Sequence, residues 1–233
     1  GVAVATMLPE RHIGAVNWVG LGTLYGKECR RFFKVWLQTI VAPTITSMLF
    51  LAVFALAIGR VMPEIGGVSF LQFMAPGLIV MAMMQNAFAN TSSSLMISKV
   101  QGNVVDVLMP PLSPSELLIG FAMGGVSRGL VVALVLSLVM LPFVHLQVHH
   151  VGFLVLHALG ASMMLSLIGL LTAIWAEKFD QLAAVSNFVI TPLAFLSGTF
   201  YSIERLPEPF LTASKFNPFF YLIDGFRYGM IGH

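Results

Sequence analysis

The sequence predicts an all-α polytopic membrane protein, and three observations carry that expectation. Of 233 residues, 58% are hydrophobic and 9% charged, against about 25% charged in an ordinary soluble domain. Mean hydropathy is +0.91. No charged residue occurs between Glu64 and Lys99. A hydrocarbon core of roughly 30 Å needs about 20 apolar residues per helix, so the length holds about five or six spans on short loops and leaves no room for a large soluble domain. Residues 1–233 therefore read as one transmembrane domain. Cys29 is the single cysteine, which excludes an internal disulfide and a Cys-based metal cluster. A net charge of +2 gives no argument for a nucleic-acid partner. Gly1 to Asn17 has no initiator Met and no basic start followed by an apolar block, so we expect a trimmed or partial chain rather than a signal peptide.

The first element is an amphipathic helix over 17–36. Trp18, Leu21, Tyr25, Cys29, Phe32, Phe33 and Trp36 recur at helical spacing, and Lys27, Glu28, Arg30, Arg31 and Lys34 occupy the opposite face. Aromatic below and basic above, such a helix lies in the membrane interface against anionic lipid. The first span covers 37–58, with Arg60 after it, and the second covers 70–90, followed by the polar "NTSSS". The loop 99–116 is well punctuated: Pro110 and Pro111 end a short helix, and Ser113, Pro114 and Glu116 form a capping box that opens the next. The third span covers 117–143, the fourth 152–175 and the fifth 182–200. Lys and Arg gather on the side of the N-terminal helix, the Lys99 loop and the Lys178 loop, which puts the N-terminus in the cytoplasm. After the fifth span, residues 202–228 contain two short helix-like pieces split at Asn217 and Pro218. We expect them to form a re-entrant or interfacial helical hairpin on the outer side.

Chemistry is scarce. "GLGTLYGKE" is not a phosphate-binding loop, because Leu21 stands where its first glycine belongs and Glu28 where its Ser or Thr belongs. His145, His149 and His150 share an outer loop without an acidic ligand nearby, which favours a polar headgroup-level loop over a metal site. Two placements are open for Arg128: a charge midway along the third span, costing about 2.5–3.5 kcal/mol, or a position at the headgroups if that span enters the membrane late. Gly120, Gly124, Gly125 and Gly129 around it form overlapping small-xxx-small pairs suited to close helix packing. Polar groups facing lipid are costly. Thr39, Pro43, Thr46 and Ser47 on the first span, Gln85, Asn86 and Asn90 on the second, and Ser186, Asn187 and Thr191 on the fifth are therefore expected to face protein or a translocation path, and together they outline a route.

The segments "YGKECRRFFKVWLQTIVAPTI", "FMAPGLIVMAMMQNAFAN", "VVDVLMPPLSPSELLIG" and "SGTFYSIERLPEPF…FNPFFYLIDGFRYGM" resemble, in order and over nearly the whole chain, the permease subunits of ABC-2 type exporters, closest to the YadH-like group. The resemblance implies a homodimer in a bacterial inner membrane, contacting membrane lipid and docking two copies of a separate ATP-binding subunit. ATP and Mg would sit on that partner, with no cofactor or catalytic residue on this chain. It implies docking through Lys27, Glu28, Arg31, Lys34, Lys99, Gln101 and Asp106. It further implies a path lined by the first, second and fifth spans, at Thr39, Ser47, Gln85, Asn86, Asn90, Asn187 and Thr191. A gate or cap would lie at Phe200, Tyr201, Asn217, Pro218, Asp224 and Arg227. The family's "NP…D.FRYG" leads into a sixth span, so we expect one beyond His233. The substrate expected is an amphipathic drug-like molecule, a lipid or a glycolipid. An ion-driven secondary transporter is the alternative, resting on Arg128 alone and lacking a visible internal repeat. An intramembrane enzyme is disfavoured, since the spans hold no paired acids, Ser-His set or metal ligands.

Overall fold

The computed structural model describes residues 18–57, 64–65, 68–101, 114–142, 151–191, 193 and 218–231. In chain order these form α1 (Trp18–Lys34), a π-helical segment (Leu37–Val41), α2 (Ala42–Ala57), strands β1 (Glu64–Ile65) and β2 (Val68–Ser69), α3 (Phe70–Gln101), α4 (Pro114–Met140), α5 (Val151–Trp175), α6 (Phe179–Val185), a second π-helical segment (Ser186–Ile190) and α7 (Pro218–Ile231). The strands pair antiparallel as a two-residue ribbon ahead of α3, an addition to the expected all-α architecture. By length and composition, Leu37–Phe54, Ser115–Met140 and Val151–Trp175 are long and apolar enough to cross a membrane.

The bundle is built around α3. Every residue from Phe73 to Met84 whose side chain is described is buried, as expected for a helix enclosed by others rather than one presenting a single stripe. α4 and α5 pack most extensively on it, and α2 and α7 complete its surround. Instead of ending at residue 90 as the second span was expected to, the helix continues to Gln101, so "NTSSS", Lys99 and Gln101 are helical rather than loop. Its last turn is tied to the end of α5 by Lys99, whose Nζ donates to the carbonyls of Ala173 (2.9 Å), Ile174 (3.1 Å) and Ala176 (2.7 Å). A lysine there satisfies the orphan carbonyls at a helix C-terminus and complements its dipole.

Small residues set the spacing of α3, α4 and α5. A Cβ on Gly125 would lie 2.5 Å from Ser166 Oγ and 2.6 Å from Thr91 Cγ2, and one on Gly129 3.0 Å from Met83 O. On α5, Ser162, Ser166, Gly169 and Ala173 form the matching seam, all fully buried or glycine. The α4 glycines serve two faces. Gly125 and Gly129 meet α3 and α5, while Gly120 and Gly124 receive α1, where a Cβ would run into Leu24 and lie 2.8 Å from Glu28 Cβ.

α1 turns to the protein a stripe that the sequence did not single out. Gly20, Leu24, Glu28 and Phe32, each four residues from the next, are its buried stripe. Tyr25, Phe33 and Trp36 of the expected aromatic stripe are exposed, as are Lys27, Arg30 and Lys34. The helix breaks at Val35, and Thr39 repairs the break: its hydroxyl donates to Phe32 O (2.7 Å) and Val35 O (3.2 Å).

α7 begins at Pro218, a residue suited to the first helical position because its missing N–H is unneeded there. The helix is continuous past residue 228 to Ile231, with Ile223, Phe226, Arg227 and Met230 buried against α5 and α3.

Candidate functional site

Two neighbouring hollows gather the polar residues of the bundle. The larger is an open groove of about 480 Å3 between α2, α3 and the two π-helical segments. Ser47, Gln85, Asn86 and Thr191, expected on the path, all line it, together with Pro43, Thr46, Ser186 and Gln38. Each π-helical segment contributes a polar side chain, Gln38 from one and Ser186 from the other. Such widened turns are rare and recur at functional sites. Phe50, Met81, Ala82 and Ala89 supply apolar wall, so the groove is amphipathic.

The smaller hollow, about 190 Å3, lies beside it and is lined by Arg31, Phe32, Val35, Gln38, Thr39, Asn90, Ser93 and Arg128. Gln38 belongs to both hollows, and Arg128 Nη2 donates to Asn86 Oδ1 (3.0 Å), a groove residue. Arg128 is therefore a part-buried charge held against a neighbouring helix, midway along α4.

The structure separates the remaining path residues from these four. Thr39 is buried and committed to the α1 break. Asn90 is fully buried, and both its backbone carbonyl and Oδ1 accept from Arg31 Nη2 (3.1 and 3.2 Å). Asn187 is exposed outside the groove.

The expected docking residues divide as well. Lys27 and Lys34 are exposed. Glu28 is not: it is 4% exposed, accepts from Ser94 Oγ (2.6 Å), and sits 3.7 Å from Arg31 Nε. Arg31 Nη2 also reaches Ser93 and Ser94, so this pair anchors α1 to α3 while the Arg31 side chain stays partly exposed. Lys99 is spent on the α5 carbonyls. Gln101 is the last residue of α3, and Asp106 lies outside the described residues. Of the cap, Phe200, Tyr201 and Asn217 also lie outside them, as do His145, His149 and His150. Pro218 opens α7 and Asp224 is exposed on it. Arg227 is buried, donating from Nε to Phe73 O (2.8 Å) with its guanidinium 3.8 Å from the Phe73 ring centre. Pro76, three residues on, supplies no N–H to the carbonyl four residues before it, that of Gln72, so this first stretch of α3 carries one helical donor fewer.

Burial raises the Glu28 carboxyl above its ordinary value of 4.5, outweighing Ser94, Arg31 and Lys27, which pull it down. The folded state thus holds this proton more tightly than the unfolded chain. Its stabilising contribution is full below pH 4.5 and is lost as pH rises through the raised folded value. Glu28→Gln is expected to flatten that part of the profile, so that the wild-type thermal midpoint falls relative to the variant's from pH 4.5 toward neutrality. Parallel profiles would refute the assignment.

Sequence reasoning missed Gln38, which sits at the junction between the interfacial helix and the first span, and Ser93, which read as a polar shoulder. Neither carries a local motif. Only the break at Val35 and the extension of α3 bring them to the hollows.

The sequence matches the ABC-2 type transporter family over residues 20–231. It is 40% identical over 215 residues to the inner membrane transport permease YadH of Escherichia coli strain K12, covering 92% of this chain and 84% of that protein. It is 23% identical over 230 residues to Nodulation protein J of Rhizobium leguminosarum bv. trifolii, covering 94% of this chain and 83% of that protein. Nodulation protein J of Rhizobium meliloti strain 1021 is 21% identical, with 93% and 82% covered. The match runs from α1 through α7, taking in both hollows and the elements that form them, and on this ground the chain belongs to the ABC-2 type transporter family, a family of membrane transport permeases.

Proposed function

We propose that this chain is the transmembrane subunit of an ATP-driven exporter. Two copies would form the translocation path for an amphipathic drug-like, lipid or glycolipid substrate across a bacterial inner membrane, with the N-terminus in the cytoplasm. Two copies of a separate subunit would bind ATP and Mg and supply the power. The observation that carries the reading is the amphipathic groove: Ser47, Gln85, Asn86 and Thr191 converge from three stretches of sequence on one open hollow, beside an apolar wall. Hydroxyl and amide groups in a lipid-facing bundle are costly unless something polar meets them. An amphipathic cargo passing between two such grooves does so. Among the described docking candidates Lys27, Lys34 and Lys99 are exposed to the ATP-binding subunit, Lys99 also fastening the end of α5, whereas Glu28 acts through the position of α1.

The test is co-reconstitution of the tagged chain and its co-purifying ATPase in liposomes, with ATP-dependent flux of fluorescent amphiphiles as the readout. Thr46→Trp puts bulk at an exposed groove position. It is expected to reduce flux sharply while the ATPase remains bound in stoichiometric amount. Flux that needs no ATP and follows an imposed ion gradient would overturn the exporter reading in favour of a secondary transporter.

A further inference from the structure

The smaller hollow has a chemistry the groove lacks. Arg31 from α1 and Arg128 from α4 line one 190 Å3 space, and no carboxylate is among its described lining residues. Glu28 lies outside the described lining and ion-pairs with Arg31 Nε at 3.7 Å, beyond hydrogen-bond reach, which offsets part of one charge and leaves Arg128 without such a partner among the described residues. Among the described residues each guanidinium makes its hydrogen bonds through Nη2: Arg31 to Asn90, Ser93 and Ser94, and Arg128 to Asn86 Oδ1. The Nε of each is buried without a hydrogen-bond partner. Two cations facing one space repel each other, and a buried donor left unmade is costly. Neither cost is needed to close the bundle, because the small-residue seam of α3, α4 and α5 does that elsewhere.

An anion between the two guanidiniums resolves both costs. Phosphate is the best match, since planar guanidinium forks pair bidentately with its oxygens. The space is too small for a whole amphiphile, and through Gln38 and Asn86 it adjoins the 480 Å3 groove, which has the apolar wall. We propose that Arg31 and Arg128 form a head-group site for a net-anionic amphiphile ending in a phosphomonoester, whose remaining length lies along the Gln38–Asn86 groove. This rests on the groove being the substrate path, and it narrows the substrate class: the same two charges disfavour cationic amphiphiles.

The experiment measures binding to the full chain in a non-ionic detergent, with no ATPase partner, by calorimetry or by Trp36 fluorescence. The probes are dihexanoyl phosphatidic acid, dihexanoyl phosphatidylcholine and inorganic phosphate. We expect phosphatidic acid to bind best and to weaken with added salt. Arg128→Gln, which keeps an amide donor for Asn86, should weaken it roughly tenfold or more, as expected for loss of a charge-assisted hydrogen bond. Arg128→Lys should retain part of the affinity. Equal binding of the zwitterionic probe would overturn the proposal. So would inorganic phosphate binding as tightly as phosphatidic acid, which would mark a free-anion site with no use for the groove. The wild-type comparison decides this even if Arg128→Gln fails to fold. Because transport is not the readout, the two readings fail separately. Absent binding with intact ATP-driven flux overturns the head-group site alone, and binding without any ATP-driven flux supports the site while overturning the exporter.

Discussion

Gly169→Val is expected to lower the thermal midpoint and the yield of monodisperse protein more than substitution at the open glycine of the same helix. A Cβ at Gly169 would overlap Thr91 Oγ1 and lie 2.7 Å from Phe88 O and 3.2 Å from Ser92 N. Two of those three neighbours are backbone atoms of α3, which cannot rotate away, so α5 itself must move. Overpacking costs typically about 1–3 kcal/mol and more where the backbone has to shift. The contrast is Gly160→Ala on the same helix and Gly22→Ala on α1, where a Cβ meets no heavy atom within 4 Å. Those changes should be neutral or stabilise by roughly 0.5–1 kcal/mol through helix propensity. Size-exclusion profiles and thermal midpoints in mild detergent check both arms. Equal losses at Gly169 and Gly160 would show that the close approach of α3 and α5 does not hold this fold together.

Arg227→Ala carries the second large effect. Its guanidinium is buried between α7 and α3, donates to Phe73 O at 2.8 Å and lies 3.8 Å from the Phe73 ring centre. A desolvated cation–π contact contributes about 2 kcal/mol and a charged hydrogen bond about 1.5–3, which are not additive, so a loss of roughly 2–4 kcal/mol is expected. Arg227→Lys should not rescue it, because an ammonium cannot both lie flat on the ring and donate sideways from an Nε. Hydrogen exchange over Phe73 to Leu78 would show where the loss falls. Full stability of the Lys variant would sink the assignment.

Much of this architecture is legible along the chain. The apolar runs that contain α2, α4 and α5 are set by hydrophobic length alone, which is a property of composition. Ser47, Gln85, Asn86 and Thr191 stand out because amides and hydroxyls in apolar runs need a reason. The remaining polar residues could not be told apart along the chain. Asn90, Thr39 and Asn187 carry the same chemistry at similar places, yet one fastens Arg31, one mends a helix break and one faces outward. Glu28 looked solvent-bound because charges usually are, and Lys99, although exposed, is also tied to the protein. Their partners, Ser94 and the α5 carbonyls, are 66 and 74 or more residues away along the chain.

By itself, then, the sequence determined that this is a helical membrane protein of the ABC-2 type transporter family, which residues are apolar enough to span, and which polar ones are too costly to leave facing lipid. The tertiary structure alone decided what each polar group answers to. A side chain's burial and partner depend on the rotation and separation of whole helices. Those are set by small contacts such as Gly125 on Ser166 and Gly169 on Thr91, between residues that nothing nearby in the chain pairs together.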